Sequence, residues 1–201
     1  MQAERVQEMS KGRFVSRAGE KLEHALEKFE VEVKGKVVAD LGSHVGGFVD
    51  CLLKHGAAKV YAVEVGKGVL DWKLRNDPRV VVMEGVNALY AELPEKVDLV
   101  TIDVGWTRQK FIVPKAASLL GPGGLIISLI KPQYEALPRE RRGGVVRRKL
   151  LNAVVDRTLE RIRALGLEIL DLEPSPLPGS GGNREFFVLL RPLAYEGESE
   201  A

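Results

Sequence analysis

Three observations in this 201-residue chain predict an open α/β fold: a mostly parallel sheet of about seven strands with helices on both faces. Short runs rich in Val, Ile and Leu recur along it, separated by segments of helical period. The first two runs flank a glycine turn and a helix-like stretch, and such a βαβ unit sets its strands side by side and parallel. The last two runs are joined by a Pro- and Gly-rich connection, Glu173 to Arg184, too short for a crossover helix, so they pair antiparallel.

Each element has its own signal. Ala18 to Glu30 carries Leu22, Ala25, Leu26 and Phe29 at helical spacing, which puts Lys21 one residue from the buried stripe. Lys36 to Asp40 reads as a buried strand, Phe48 to His55 as a helix and Lys59 to Glu64 as the second strand. Val69 to Asn76 reads as helical, Arg79 to Met83 as the third strand and Val97 to Val104 as the fourth. Lys110 to Leu120 is a helix stopped by Gly121-Pro122-Gly123-Gly124, and a fifth strand runs to Lys131. Val145 to Leu165 reads as one long helix ended by Gly166; Leu167 to Leu172 and Phe186 to Leu190 are the last strands. One folded domain is expected over residues 14–193, between a flexible lead at 1–13 and a flexible acidic tail at 194–201.

Composition narrows the function classes. A 45% hydrophobic, 29% charged chain is globular, and no apolar run approaches the ~18 residues of a membrane span. Met1 to Lys11 lacks the apolar core of a signal peptide, so a cytoplasmic location is expected. A single cysteine, Cys51, excludes an internal disulfide and reads as a small core residue; with three scattered His there is no metal-ligand spacing, and no metal is expected. The net charge of +2 is small, but Arg139, Arg141, Arg142, Arg147, Arg148 and Lys149 crowd one segment against Glu140 alone, and Arg13 and Arg17 form a second group. This is either a surface for RNA phosphates or a solvated helix face.

Four charges at the ends of apolar elements carry the functional signal. Asp103 and Lys131 each close a strand, Glu185 opens one, and Lys21 borders a helical stripe. Charges in such places are costly and are kept for binding, catalysis or structural ion pairs. The turn Asp40-Leu41-Gly42-Ser43-His44-Val45-Gly46-Gly47-Phe48 joins the first strand to the first helix, where open α/β sheets bind ligands. The dinucleotide fingerprint requires glycine where His44 stands, which removes the main support for NAD. Asp40 could instead face an ammonium group, and Glu64, with Val65 after it, could accept from both hydroxyls of a ribose. Those demands describe S-adenosylmethionine, with Gly42, Ser43, His44, Gly46, Gly47 and Phe48 around it and Asn87 and Asp103 at its borders. His44 reads as a loop residue shaping that pocket.

Ser16-Arg17-Ala18-Gly19-Glu20-Lys21-Leu22, Asp40-Leu41-Gly42 with Gly46-Gly47-Phe48, Asp71-Trp72-Lys73-Leu74-Arg75, Ile130-Lys131-Pro132-Gln133 and Gly182-Asn183-Arg184-Glu185 are numerous, ordered and widely spaced. Together they resemble the TlyA (haemolysin A) family of ribosomal-RNA 2′-O-methyltransferases within the FtsJ-like group, from about Phe14 to Pro192. The resemblance implies a Rossmann-like S-adenosylmethionine-dependent methyltransferase fold whose last strand is antiparallel. It also implies that Lys21, Asp103, Lys131 and Glu185 occupy the family's Lys-Asp-Lys-Glu catalytic positions, with Lys131 activating the hydroxyl. The expected partner is RNA, ribosomal RNA or ribosomal subunits. TlyA-type proteins usually begin with an S4 RNA-binding domain, and here only the short lead is expected, so a separate RNA-binding partner or a homo-oligomer could take its place. Where the family usually has Val-Ser-Phe-Ile-Ser, this chain has Val104-Gly105-Trp106-Thr107-Arg108, and Trp106 would stack on a base or cover the cofactor. Two other readings stay open: a cofactor- and RNA-binding assembly module without catalysis, and a small-molecule O-methyltransferase.

Overall fold

The computed structural model describes residues 12–193; the tail at 194–201 and all but the last two residues of the lead lie outside the described residues. The chain opens with α1 (Ala18–Lys28), then β1 (Val37–Leu41), α2 (Gly47–Lys54), β2 (Lys59–Glu64), the short α3 (Trp72–Arg75) and β3 (Val80–Glu84). Next come β4 (Val97–Ile102), α4 (Gln109–Leu119), β5 (Leu120–Ile130) and the short α5 (Pro132–Glu135). A small hairpin of β6 (Arg141–Arg142) and β7 (Val145–Val146) precedes α6 (Leu151–Arg163), β8 (Leu167–Pro174) and β9 (Phe186–Pro192).

Seven strands form one sheet in the order β3-β2-β1-β4-β5-β9-β8. The first five in that order run parallel, and β9 is antiparallel to both β5 and β8. Both faces are covered, which is why the central strands are mainly apolar rather than alternating. On one face Leu22, Ala25 and Leu26 of α1 and Val49, Cys51, Leu52 and Leu53 of α2 pack with Val38, Val60, Leu99, Ile127 and Phe187. On the other, Ile112, Val113 and Ala116 of α4 and Val154, Val155 and Ile162 of α6 pack with Leu41, Val63, Val100, Ile126 and Val188. Helices change face between β1 and β4, and at such a switch point the loops part to leave a crevice beyond the strand ends.

Two expected helices are corrected. The stretch from Val145 is not helical at its start: Gly143 (φ 57°) and Gly144 (φ 80°) turn the chain into the β6–β7 hairpin. The helix begins at Leu151, where the apolar stripe of Leu151, Val154, Val155, Leu159 and Ile162 begins. The basic run is therefore a single turn at Pro138–Glu140, the hairpin and a second turn at Arg148–Leu150, and not one face of a long helix. Helix α3 has four residues instead of the eight of Val69 to Asn76, because the N–H groups of Gly68, Val69 and Leu70 bond to the Glu84 carboxylate and Asp71 caps Lys73 N–H.

Candidate active site

Strand registry builds the site. Asp103 N–H donates to Leu41 O at 3.0 Å, while Gly42 and Ser43 N–H donate to Val63 O at 2.9 and 3.1 Å, so the ends of β1, β2 and β4 are stitched together. Gly42 is required here. Its φ is 89°, and a Cβ on it would lie 2.7 Å from Asp103 O. Between β5 and β9 the antiparallel partners Ile130 and Phe186 set the next residues, Lys131 and Glu185, opposite each other. Helix α1 packs against α2 and delivers Lys21 to the same edge.

A cavity of about 680 Å³ opens over these strand ends. Its wall includes Lys21, Asp103 and Lys131, together with Gly42, Ser43, His44, Gly47, Phe48, Glu64, Val65 and Asn87. Ser16, Arg17 and Ala18 close it from the N-terminal side, and Ser180 reaches it from the loop before β9.

The four charges meet as two ion pairs. Lys21 Nζ donates to Glu185 Oε2 at 2.7 Å, and both side chains are nearly dry, 8% and 3% exposed. Lys131 Nζ lies 2.6 Å from Asp103 Oδ1, an ion-pair distance, although the angles are not those of a hydrogen bond and Oδ1 is otherwise without a partner. This pair is wetter, at 17% and 21%. Glu185 does not line the cavity; it stands behind Lys21, with Gln133 Nε2 donating to Oε1 at 3.4 Å. Its carboxylate leaves no room for a side chain at position 179, where a Cβ would approach Oε1 to 1.9 Å. Below Lys131, buried Ser128 and Glu135 hold the start of α4: Ser128 Oγ donates to Gln109 Oε1 at 2.7 Å, and Gln109 N–H donates to Glu135 Oε1 at 2.7 Å. Burial pushes the Glu135 carboxyl up.

Not every expected residue reaches the cavity. Asp40 and Gly46 are absent from its wall. Asp40 is fully buried, accepts from Thr101 Oγ1 at 2.7 Å and keeps Oδ2 unpartnered; burial drives its pKa up to about 7. It acts from behind the wall and does not present a carboxylate to a ligand. Gly46 is closed off by Leu70 and Leu74. Glu64 is on the wall with both oxygens engaged, Oε2 by His44 N–H at 2.9 Å and Oε1 by Gly66 N–H at 2.8 Å. Each oxygen retains a lone pair for a further donor.

The expected arginine groups differ in availability. Arg139, Arg142, Arg147 and Arg148 are exposed, and Arg17 is exposed on the cavity rim. Arg141 is half-buried and donates to Gln133 O at 3.0 Å, and Arg13 is tied to Glu23 at 2.7 Å. Glu84 escaped the sequence reading. Three N–H groups and Arg75 hold it, depressing its pKa to about 2, chiefly through the N–H groups of Gly68 and Leu70, and it shapes the loop after β2. Its signal was available, since it ends β3 as Glu64 ends β2. Ser16 and Asn183 stood within the quoted motifs without a role of their own, and Ser180 had no such signal.

The wall fits a sulfonium nucleoside. A volume of about 680 Å³ is in the range of cofactor sites. Ser43, a residue of the wall, keeps its buried Oγ without a hydrogen-bond partner. Gly42 and Gly47 on the wall are held to glycine by close protein neighbours, Asp103 O for the first and Ser16 for the second, and the carboxylates supply negative charge for a cation. Among the described residues, no cluster of three or more His, Cys, Asp or Glu could hold a metal, and no helix is long and apolar enough to cross a membrane.

Comparison with known proteins agrees with this geometry. Residues 14–192 match the FtsJ-like methyltransferase family. The chain is 45% identical over 198 residues to YqxC of Bacillus subtilis, covering 94% of this chain and 68% of that protein. It is 41% identical over 184 residues to the 16S/23S rRNA (cytidine-2′-O)-methyltransferase TlyA of Mycobacterium tuberculosis, covering 89% and 68%. A solved structure of a protein described as a hemolysin from Streptococcus thermophilus superposes with a TM-score of 0.85 at 38% identity, over 92% of this chain and 69% of that one. With a seven-stranded, mostly parallel sheet, a cavity suited to a sulfonium nucleoside and a match over nearly all the described residues, the chain belongs to the FtsJ-like methyltransferase family and is an S-adenosylmethionine-dependent enzyme.

Proposed function

We propose that this protein methylates ribose 2′-hydroxyls of RNA, with ribosomal RNA as the substrate, through the domain formed by residues 14–193. The observation that carries the reading is that Lys21 and Lys131 line one cavity, each paired with a carboxylate, Glu185 behind the wall and Asp103 on it. The name of the Mycobacterium tuberculosis relative, a 16S/23S rRNA (cytidine-2′-O)-methyltransferase, supports the substrate class.

A ribose hydroxyl is a weak acid and must lose its proton as its oxygen attacks. When bound, the cofactor supplies an electrophilic methyl group on a sulfonium. Lys131, in its neutral amine form, is the group that takes the hydroxyl proton: it sits on the cavity wall, and Asp103 holds its nitrogen at 2.6 Å in one place. Lys21 brings a second positive charge, fixed by Glu185, against the oxyanion that develops on the ribose. Ser43, Glu64 and Asn87 on the cavity wall are placed to receive donors of the cofactor.

RNA is held by Arg17 on the rim and by Arg139, Arg142, Arg147 and Arg148. Trp106, 85% exposed and packed on Tyr134 with ring centroids 5.1 Å apart, offers a face on which a base stacks. The test is transfer of a tritiated methyl group from the cofactor to total RNA and to isolated ribosomal subunits, followed by nucleoside analysis. A 2′-O-methylnucleoside is expected. Label on a nucleobase, or transfer only to small molecules, would overturn the reading.

A further inference from the structure

One side chain joins the arginine hairpin to the buried ion pair. Asn183 is 5% exposed. Its Oδ1 accepts from Val146 N–H at 3.2 Å, and its Nδ2 donates to Gly144 O at 3.2 Å and Ser180 O at 3.0 Å. All three partners are backbone groups, so this amide fixes two loops regardless of their side chains. Its own carbonyl accepts from Gly179 N–H at 2.9 Å, and Ser175 N–H donates to Glu185 O at 2.9 Å. Asn183 thus stands two residues before Glu185 in a loop that also presses Gly179 onto the Glu185 carboxylate.

The hairpin has a second route to the same carboxylate. Arg141 of β6 donates to Gln133 O at 3.0 Å, and Gln133 Nε2 reaches Glu185 Oε1. Each strand of the hairpin is therefore bonded toward Glu185, β7 through Asn183 and β6 through Gln133. The outer side of the hairpin is different. Arg142, Arg147 and Arg148 are exposed and form no ion pair among the described residues. A buried carboxylate gripped from a hairpin that displays free guanidinium groups links two things: where a polyanion is held and where Lys21 is held.

We propose that Asn183 is a positioning residue that locks the Lys21–Glu185 pair to the arginine hairpin, so that RNA phosphates bound by Arg142 and Arg147 set the geometry in which Lys21 meets the reacting ribose. This rests on the RNA-methyltransferase reading above. The coupling runs through hydrogen bonds to backbone, and an amide satisfied on both its oxygen and its nitrogen resists replacement better than a carboxylate would allow.

The experiment uses the full chain, single-turnover methylation at saturating RNA, and separate dissociation constants for RNA and cofactor. Arg142→Ala/Arg147→Ala alters only exposed groups; it should weaken RNA binding and also slow the saturated rate by at least ~5-fold. Asn183→Asp keeps the size and the acceptor for Val146 N–H but loses both donations. It should slow the saturated rate by ~10-fold or more with both dissociation constants within about twofold, and in the triple variant the arginine changes should have little further effect on rate. A full rate at saturating RNA for the arginine variant would reduce the hairpin to a tether and overturn the proposal, as would rate effects that simply multiply. Should Asn183→Asp lose cofactor binding and its unfolding transition, the arginine variant decides the matter alone. No methyl transfer to RNA by the unsubstituted enzyme would sink the RNA reading, and this proposal with it. Transfer at a rate indifferent to the arginine pair would sink this proposal alone.

Discussion

Removing one partner of the Lys21–Glu185 pair should cost stability as well as activity, and the two costs can be separated. The ammonium and carboxylate are 2.7 Å apart with side chains only 8% and 3% exposed. Glu185→Gln keeps the shape, which matters because Gly179 is packed on this side chain, yet it leaves Lys21 as an uncompensated buried charge. Breaking such a pair costs about 3–5 kcal/mol, whereas replacing both members with neutral groups is often nearly neutral. For a domain of this size each kcal/mol moves Tm by about 2–4 °C, so Glu185→Gln should melt roughly 6–20 °C lower. Lys21→Met combined with Glu185→Gln should recover most of that loss, to within about 1–2 kcal/mol of the parent. Urea unfolding of the parent, both single variants and the double variant closes the cycle, and methyl transfer is measured on each at a temperature where all are folded. The double variant should be stable and inactive. A Glu185→Gln loss below about 1 kcal/mol, or single-variant costs that add in the double, would refute the claim that the pair is dry and coupled; a stable double variant with full activity would remove Lys21 from the mechanism.

Three further outcomes are expected. Lys131→Ala should slow single-turnover methylation by about 10²–10⁴ while cofactor affinity stays nearly constant, and Lys131→Arg should not restore it, because a guanidinium stays protonated; near-normal turnover in Lys131→Ala would dismiss it as the activating residue. Glu64→Ala should weaken cofactor binding by about 1–3 kcal/mol by calorimetry, because it removes an acceptor and frees the His44 and Gly66 N–H groups; unchanged affinity would place the ribose elsewhere. Asp40, raised from 3.8 to about 7, binds its proton more tightly folded than unfolded, so its contribution is fully present below about pH 4 and lost as pH rises through 7. Asp40→Asn should therefore gain on the parent in urea titrations by roughly 2–4 kcal/mol between pH 4 and pH 8, and a difference that does not vary with pH would contradict the burial of this carboxyl.

The sequence by itself determined the sheet, the strand-end charges and the family. Short β-branched runs such as Leu99 to Ile102 and Ile126 to Ile130, bounded by turn signals, favour a buried strand, and the glycines at 42, 46 and 47 mark a turn that only small residues permit. Periodicity is a local property, so these features were legible one segment at a time. It misread Val145 to Leu150 because Val, Arg and Leu at that spacing suit a helix, while the positive φ of Gly143 and Gly144 and the grip of Asn183 on Val146 and Gly144 make a hairpin. Which charges pair was decided only in three dimensions. Register puts Lys131 opposite Glu185, yet Lys131 turns to Asp103 and Glu185 to Lys21, since α1 arrives from 164 residues away to claim the buried carboxylate. The same holds for Asp40, whose place beside the glycine turn suggested contact with a ligand. Parallel pairing with β2 and β4 on either side encloses it, and burial keeps its carboxyl behind the wall. Long-range pairing and solvent exclusion belong to the assembled sheet, and no stretch of sequence carries them alone.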